Sequence, residues 1–127
     1  MAQTTTDSIL LVEDTPSEAM LYTEYLKREP VSVTHVDTGT KALAALEASL
    51  PSVMLLDLQL PDMNGLELLD EITRRELPVS AVVITAHGSI NTAVQAMQRG
   101  AADFLVKPFA ADRLLVTVRN ALERQRL

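Results

Sequence analysis

The sequence contains no cysteine, which excludes thiol nucleophiles, zinc-cysteine sites, iron-sulfur clusters and a disulfide framework, and suits a reducing compartment such as a cytoplasm. Positive charge is also scarce. Eleven Lys+Arg face 17 Asp+Glu, a formal net charge of -6, so a phosphate backbone is repelled on average and direct nucleic-acid binding is not expected. Apolar runs are short and broken by charge or proline, far below the ~20 residues of a membrane span. The polar start Met1 to Ser8 lacks a cationic signal-peptide head. Linkers, repeats and low-complexity stretches are missing too. What remains is a chain of 127 residues, 47% hydrophobic, the size of one domain and long enough to bury roughly two thirds of its unfolded surface without staples. The expectation is one soluble, cytoplasmic domain that does not touch a membrane.

Short apolar runs set the organisation. Ile9-Leu10-Leu11-Val12, Val53-Met54-Leu55-Leu56, Ala81-Val82-Val83-Ile84 and Phe104-Leu105-Val106 read as strands buried on both faces. Val31 to Val36 alternates apolar and polar residues like an edge strand, with His35 exposed on it. Helical segments separate the runs. The first follows Thr15-Pro16-Ser17-Glu18, which combines a capping hydroxyl, a proline at the first helical position and a glutamate three residues after the cap, and it extends to about Arg28. The second spans Gly39 to Ser49, with Ala42, Leu43, Leu46 and Leu50 at helical spacing and Pro51 ending it. The third is capped by Asn64, with Glu67 three residues on, and runs to about Glu76. The fourth places Ile90, Ala93, Val94 and Met97 on one face and stops at Gly100, and the last turns Leu114, Leu115, Val118, Ala121 and Leu122 inward.

Strands alternating with helices imply a parallel sheet covered on both faces, because each parallel crossover is long and right-handed. The fold class is therefore α/β: a doubly wound, five-stranded parallel sheet in the order 2-1-3-4-5 with five helices, flavodoxin-like. In such sheets ligands bind beyond the carboxyl ends of the strands.

All four buried runs end in a residue capable of polar chemistry: Glu13-Asp14, Asp57, Thr85 and Lys107. Parallel topology brings these ends to one edge. Two carboxylates about 4 Å apart repel by roughly 4 kcal/mol at an effective dielectric near 20, so three acids require positive charge. Lys107 supplies one charge, and a hard divalent cation that prefers oxygen ligands, Mg²⁺ with Mn²⁺ as a substitute, suits the rest. A metal, a carboxylate, a hydroxyl and a lysine match the needs of phosphoryl transfer. Asp57, ending a central strand, is the expected nucleophile and phosphorylation site, and Glu13 and Asp14 are better placed to hold metal. Thr85 would bond one phosphoryl oxygen and Lys107 another.

Each residue also has a structural reading. Glu13 and Asp14 could serve only the dipole of the following helix, Asp57 could be a loop carboxylate, Thr85 a favoured strand residue, and Lys107 a snorkelling side chain. Phe104 fits core packing as well as a reporter of Thr85. What weighs against these readings is the recurrence of such residues at four strand ends.

Over Ser8 to Arg126 the chain resembles the receiver domain of bacterial two-component response regulators. The resemblance is carried by Val12-Glu13-Asp14, Leu55-Leu56-Asp57-Leu58-Gln59-Leu60-Pro61-Asp62-Met63-Asn64-Gly65, Thr85-Ala86 and Lys107-Pro108. The strand order given above rests partly on it. It implies that Asp57 accepts a phosphoryl group from a histidine kinase or a phosphotransfer protein. It further implies that Mg²⁺ is held by Glu13, Asp14, Asp57 and the backbone carbonyl of Gln59, and that Lys107-Pro108 is cis. Thr85 and Phe104 become switch residues, and side chains at Gln59 and His87 lie near the path of the water that removes the phosphoryl group and so tune its lifetime. The segments from Thr85 to Ile90 and from Phe104 to Phe109 look closest to receivers preceding sigma-54-dependent activators, including quorum-sensing regulators of the LuxO type. Two departures from the best-known receivers are Glu13 for an aspartate and Phe104 for a tyrosine.

The expected output is a changed partner surface on the last two helices and the intervening strand, which also offers a homodimer interface and would control transcription. Three other functions fit less well. An aspartate-nucleophile phosphatase needs an acid two residues after the nucleophile, where Gln59 stands, so no turnover of external substrates is expected. A nucleotide or flavin carrier needs a phosphate-cradling turn where Glu13-Asp14 stand. A degenerate receiver would not keep the full acidic and basic set. We read residues 1–127 as a single receiver domain with its core at about 8–126. Met1 looks like a natural start and Leu127 like a cut, so an excised fragment is expected, with an ATPase module and a helix-turn-helix domain beyond it, and a stand-alone receiver is the alternative.

Overall fold

A computed structural model describes residues 6–86 and 88–126. Its elements alternate strictly: β1 (Asp7–Val12), α1 (Pro16–Leu26), β2 (Val31–Val36), α2 (Gly39–Ala48), β3 (Val53–Asp57), α3 (Gly65–Arg74), β4 (Ser80–Thr85), α4 (Ile90–Gln98), β5 (Asp103–Val106) and α5 (Ala111–Arg126). The five strands form one sheet, β2-β1-β3-β4-β5, and every pairing is parallel. Fold class and strand order agree with the expectation.

Alternation along the strands divides the core in two. Ile9, Leu11, Val53, Leu55, Val82, Ile84 and Leu105 meet α1 and α5 on one face. Leu10, Val12, Met54, Leu56, Ala81 and Val83 meet α2, α3 and α4 on the other. Because both faces are covered, the central strands are continuously apolar rather than alternating.

Two local expectations are corrected, and the placement of α4 adds a third finding. Thr15 occupies the N-cap of α1 but its side chain makes no capping bond; Glu18, the intended reciprocal partner, is instead drawn to Lys107 across the sheet edge. Leu50 lies beyond the end of α2 and is exposed. The apolar stripe of α4 does not face the core. Ile90 is 83% exposed, and Val94 and Met97 are exposed too, while the small Ala96 makes the buried contact. Since α4 lies over the edge strand, it approaches the sheet through alanine and leaves its large side chains outward.

Other helix ends follow local chemistry. The Asn64 side chain accepts from the Leu66 amide and the Ser89 side chain from the Thr92 amide, so both act as N-caps. Gly100, at φ +98°, ends α4 in the left-handed region that glycine enters without cost. Among the described residues no helix is long and apolar enough to cross a membrane.

Candidate functional site

Parallel register assembles the site. Val12 of β1 lies opposite Leu56 of β3, so the next residues, Glu13 and Asp57, become neighbours where the strands end. On the other side of β3, Asp57 pairs with Ile84, one residue short of Thr85, and Thr85 pairs with Val106, one residue short of Lys107. The Lys107 amide donates to the Thr85 carbonyl at 2.9 Å, which extends the ladder one step and sends the lysine side chain over the sheet edge.

Lys107 is the hub of the cluster. Its ammonium donates to Glu13 Oε1 at 2.7 Å and to Asp57 Oδ2 at 2.8 Å. All three side chains are buried. The same ammonium is 3.2 Å from Glu18 Oε1 and 6.0 Å from the centre of the Tyr22 ring. Glu13 is fully buried. Its Oε2 accepts from the Thr15 amide at 3.2 Å, and its backbone carbonyl is 2.7 Å from His35 Nε2. His35 is exposed, as expected for β2, but it reaches the site's backbone, a contact the edge-strand pattern does not reveal. Asp57 Oδ1 accepts from the Gln59 amide at 2.9 Å.

The electrostatics reflect this crowding. Burial pushes the Glu13 carboxyl up to about 7, with the Asp57 charge adding to the rise and Lys107 opposing it. For Lys107, burial works against the ammonium, but its hydrogen bonds to Asp57 and Glu13 prevail and hold it above the usual lysine value. One ammonium does not neutralise the acids around it.

Glu13, Asp14 and Asp57 each offer a carboxylate oxygen, and these atoms lie within 4.8 Å of one another. Asp14 is exposed, whereas Glu13 and Asp57 are buried. This all-oxygen donor set of one open and two desolvated acids fits a hard divalent cation that keeps part of its water shell. Beside it opens a cleft of about 190 Å³ lined by Asp14, Thr15, Glu18, Asp57, Gln59, Ala86 and Lys107. Such a space beside a buried carboxylate and an ammonium can admit a small anionic group.

The remaining expected residues are placed as follows. Thr85 is buried as the last residue of β4 and lines an adjoining hollow with Leu58, Gln59 and Asn64. Gln59 is exposed and bridges to Asn64. Phe104 is half-buried and packs on the α2, α3 and α4 side of the core, opposite Val83 in register. His87 lies outside the described residues. The Lys107-Pro108 bond is cis.

Two participants were not anticipated at the site. Glu18 was expected to cap α1 and instead lines the cleft. Asp62, in the loop after Asp57, accepts from the Gly39 and Thr40 amides at 2.8 and 2.9 Å and from the Thr40 hydroxyl at 2.7 Å. It thereby ties that loop to the start of α2, and those hydrogen bonds pull its carboxyl down to about 2. In the sequence Asp62 stands inside the receiver-like run from Leu55 to Gly65, with no role of its own assigned to it. Gly65 itself is fixed by crowding, since a Cβ there would meet Leu58 Cα at 2.7 Å and the Asp57 carbonyl oxygen at 2.8 Å.

Residues 9–119 match the response regulator receiver domain. The chain belongs to that family. It is 46% identical over 114 residues to the luminescence regulatory protein LuxO of Vibrio campbellii, covering 90% of this chain and 25% of that protein. The chain thus spans about a quarter of the length of that curated relative. The crystal structure of the signal receiver domain of a putative LuxO repressor protein from Vibrio parahaemolyticus superposes with a TM-score of 0.94 at 46% identity, covering 96% of this chain and 94% of that one. The solution structure of the beryllofluoride-activated NtrC4 receiver domain dimer superposes with a TM-score of 0.88 at 32% identity, covering 93% of this chain and 98% of that one. The expected resemblance to receivers of the LuxO type is therefore met at the level of sequence and of fold.

Proposed function

We propose that this receiver takes a phosphoryl group on Asp57, in a reaction that depends on Mg²⁺ or on Mn²⁺ in its place, from a histidine kinase or a phosphotransfer protein. The observation that carries the reading is the buried Asp57 carboxylate held by Lys107 at the wall of a small open cleft, beside two further acids. Glu13, Asp14, Asp57 and the Gln59 carbonyl would hold the metal, which supplies charge neutralisation of the phosphoryl oxygens and of the attacking carboxylate.

Attack joins an Asp57 oxygen to phosphorus as the donor's bond to phosphorus breaks, and the departing group leaves with the electron pair and takes up a proton. Lys107 exchanges an Asp57 oxygen for a phosphoryl oxygen, and the Thr85 hydroxyl bonds another. Repositioning of Thr85 is transmitted to Phe104 and to the surface of α4, β5 and α5. The exposure of Ile90, Val94, Met97, Val106 and Val116 on those elements supports a partner surface there, including a homodimer. A related receiver is described as a dimer in its beryllofluoride-activated form.

The output under this reading is control of transcription by modules beyond this domain, in the cytoplasm, with no turnover of external substrates and no direct contact of this domain with nucleic acid. Gln59 and His87 set the phosphoryl lifetime, and timing dephosphorylation after alanine exchange at each tests that role: unchanged decay would remove it. The main test incubates the protein with Mg²⁺ and a small phosphodonor or beryllofluoride. Wild type should be modified and Asp57→Asn should not; equal modification of both would displace Asp57 from its role.

A further inference from the structure

We infer that Glu18 is an electrostatic positioning residue of the phosphoryl site, one that shares Lys107 with Asp57 and discriminates among phosphodonors by their charge. The inference rests on the phosphoacceptor reading of Asp57. Glu18 sits in the first turn of α1, right after Pro16 has set the start of the helix. Its carboxylate is only about one third exposed and lies 3.2 Å from Lys107 Nζ, which in turn is 2.8 Å from Asp57 Oδ2. Those two contacts put the Glu18 and Asp57 oxygens no more than about 6 Å apart.

Neighbours hold the side chain there. The buried Tyr22, one turn along α1, reaches Glu18 Oε1 with its hydroxyl at 3.5 Å and stacks on Phe109 at 5.0 Å between ring centres. Phe109 follows Lys107 by two residues, so the same stretch of chain that presents the ammonium is pinned to the helix that presents Glu18. The cleft wall formed by Asp14, Glu18, Asp57 and Lys107 is net negative even with the lysine counted.

Two consequences follow for an incoming anion. Lys107 must loosen its contact with Glu18 to turn toward the phosphoryl oxygens, and the Glu18 charge opposes entry in proportion to the donor's own charge. A unit charge about 6 Å away, screened as at a wet cleft mouth, changes the encounter with each unit of donor charge by about threefold. Removing it therefore favours a dianion by about tenfold and a monoanion by about threefold.

The test measures Asp57 phosphorylation rates in Mg²⁺ with acetyl phosphate, a dianion, and with phosphoramidate, whose ammonium lowers its net charge by one. Wild type, Glu18→Gln and Glu18→Asp are compared at low and high salt. Glu18→Gln should speed the acetyl phosphate reaction by about tenfold and the phosphoramidate reaction by about threefold, so that the ratio of the two rates shifts, with both gains shrinking in high salt. Glu18→Asp, which keeps the charge, should retain the wild-type ratio. A merely structural role would change both rates by the same factor, and that result, or no change at all, would overturn the inference while leaving the phosphoacceptor reading intact. Failure of wild type to take a phosphoryl group from either donor would overturn both.

Discussion

Replacing Lys107 by methionine removes the ammonium while keeping most of the side-chain volume, and the structure says what this costs. The Glu13 and Asp57 oxygens that now share one donor at 2.7 and 2.8 Å would face each other unshielded in a buried setting. Where both are ionised, two carboxylates at the 4.8 Å limit of the acidic group repel by about 3.5 kcal/mol at an effective dielectric of 20. That figure agrees with the ~3–5 kcal/mol lost when one partner of a buried pair is removed. In a domain of this size it lowers the melting temperature by roughly 10 °C.

The loss must also depend on pH. Glu13 titrates near 7 in the fold against an ordinary 4.5, so the fold binds a proton that the unfolded chain has released. The stability this confers is complete below about 4.5 and disappears as pH rises through about 7. Without Lys107 the Glu13 carboxyl rises further, which moves the loss to higher pH. Urea unfolding of metal-free wild type and Lys107→Met should accordingly show a stability gap larger at about pH 8 than at about pH 6, by on the order of 1 kcal/mol. Added Mg²⁺ should narrow the gap at the higher pH. A gap that is equal at both pH values and indifferent to Mg²⁺ would refute the reasoning and reduce Lys107 to packing.

Three further outcomes are expected. Mg²⁺ should raise the melting temperature of the wild type, by about 1.4 kcal/mol of stability for each tenfold excess over its dissociation constant, and Asp14→Ala should shift this dependence to higher Mg²⁺, as followed by calorimetry. Gly65→Ala should destabilise by about 1–3 kcal/mol in urea, because the added methyl meets the backbone of Asp57 and Leu58 rather than a side chain that can turn away. Asp62→Ala should accelerate amide hydrogen exchange at Gly39 and Thr40. The contribution of Asp62 in the wild type is present above about 3.8 and fades as pH falls through about 2.

The site was legible where chemistry recurs at the ends of apolar runs. Glu13, Asp57, Thr85 and Lys107 each follow or close a buried strand, and one topological inference, that the strands are parallel, is enough to bring them to a single edge. Glu18 was misread because its local spacing to Thr15 matches a capping box, and no local pattern reveals that Lys107, 89 positions away in the chain, competes for the same carboxylate. The stripe Ile90, Val94 and Met97 has the helical period of a buried face, yet period alone does not say whether an apolar face meets the sheet or a partner. Asp62 shows the same limit: its partners on α2 precede it by 22 and 23 residues.

The central claim is that Asp57, among several crowded acids, is the residue that becomes an acyl phosphate. Borohydride reduces such a mixed anhydride to the alcohol, turning a phosphorylated aspartate into homoserine. Wild type should therefore be treated with acetyl phosphate and Mg²⁺, reduced, digested and sequenced by mass spectrometry. Homoserine at position 57 alone, absent when Mg²⁺ is chelated, is the predicted result; homoserine at position 14, or phosphate retained on His35 or Thr85 with residue 57 unaltered, would contradict the account.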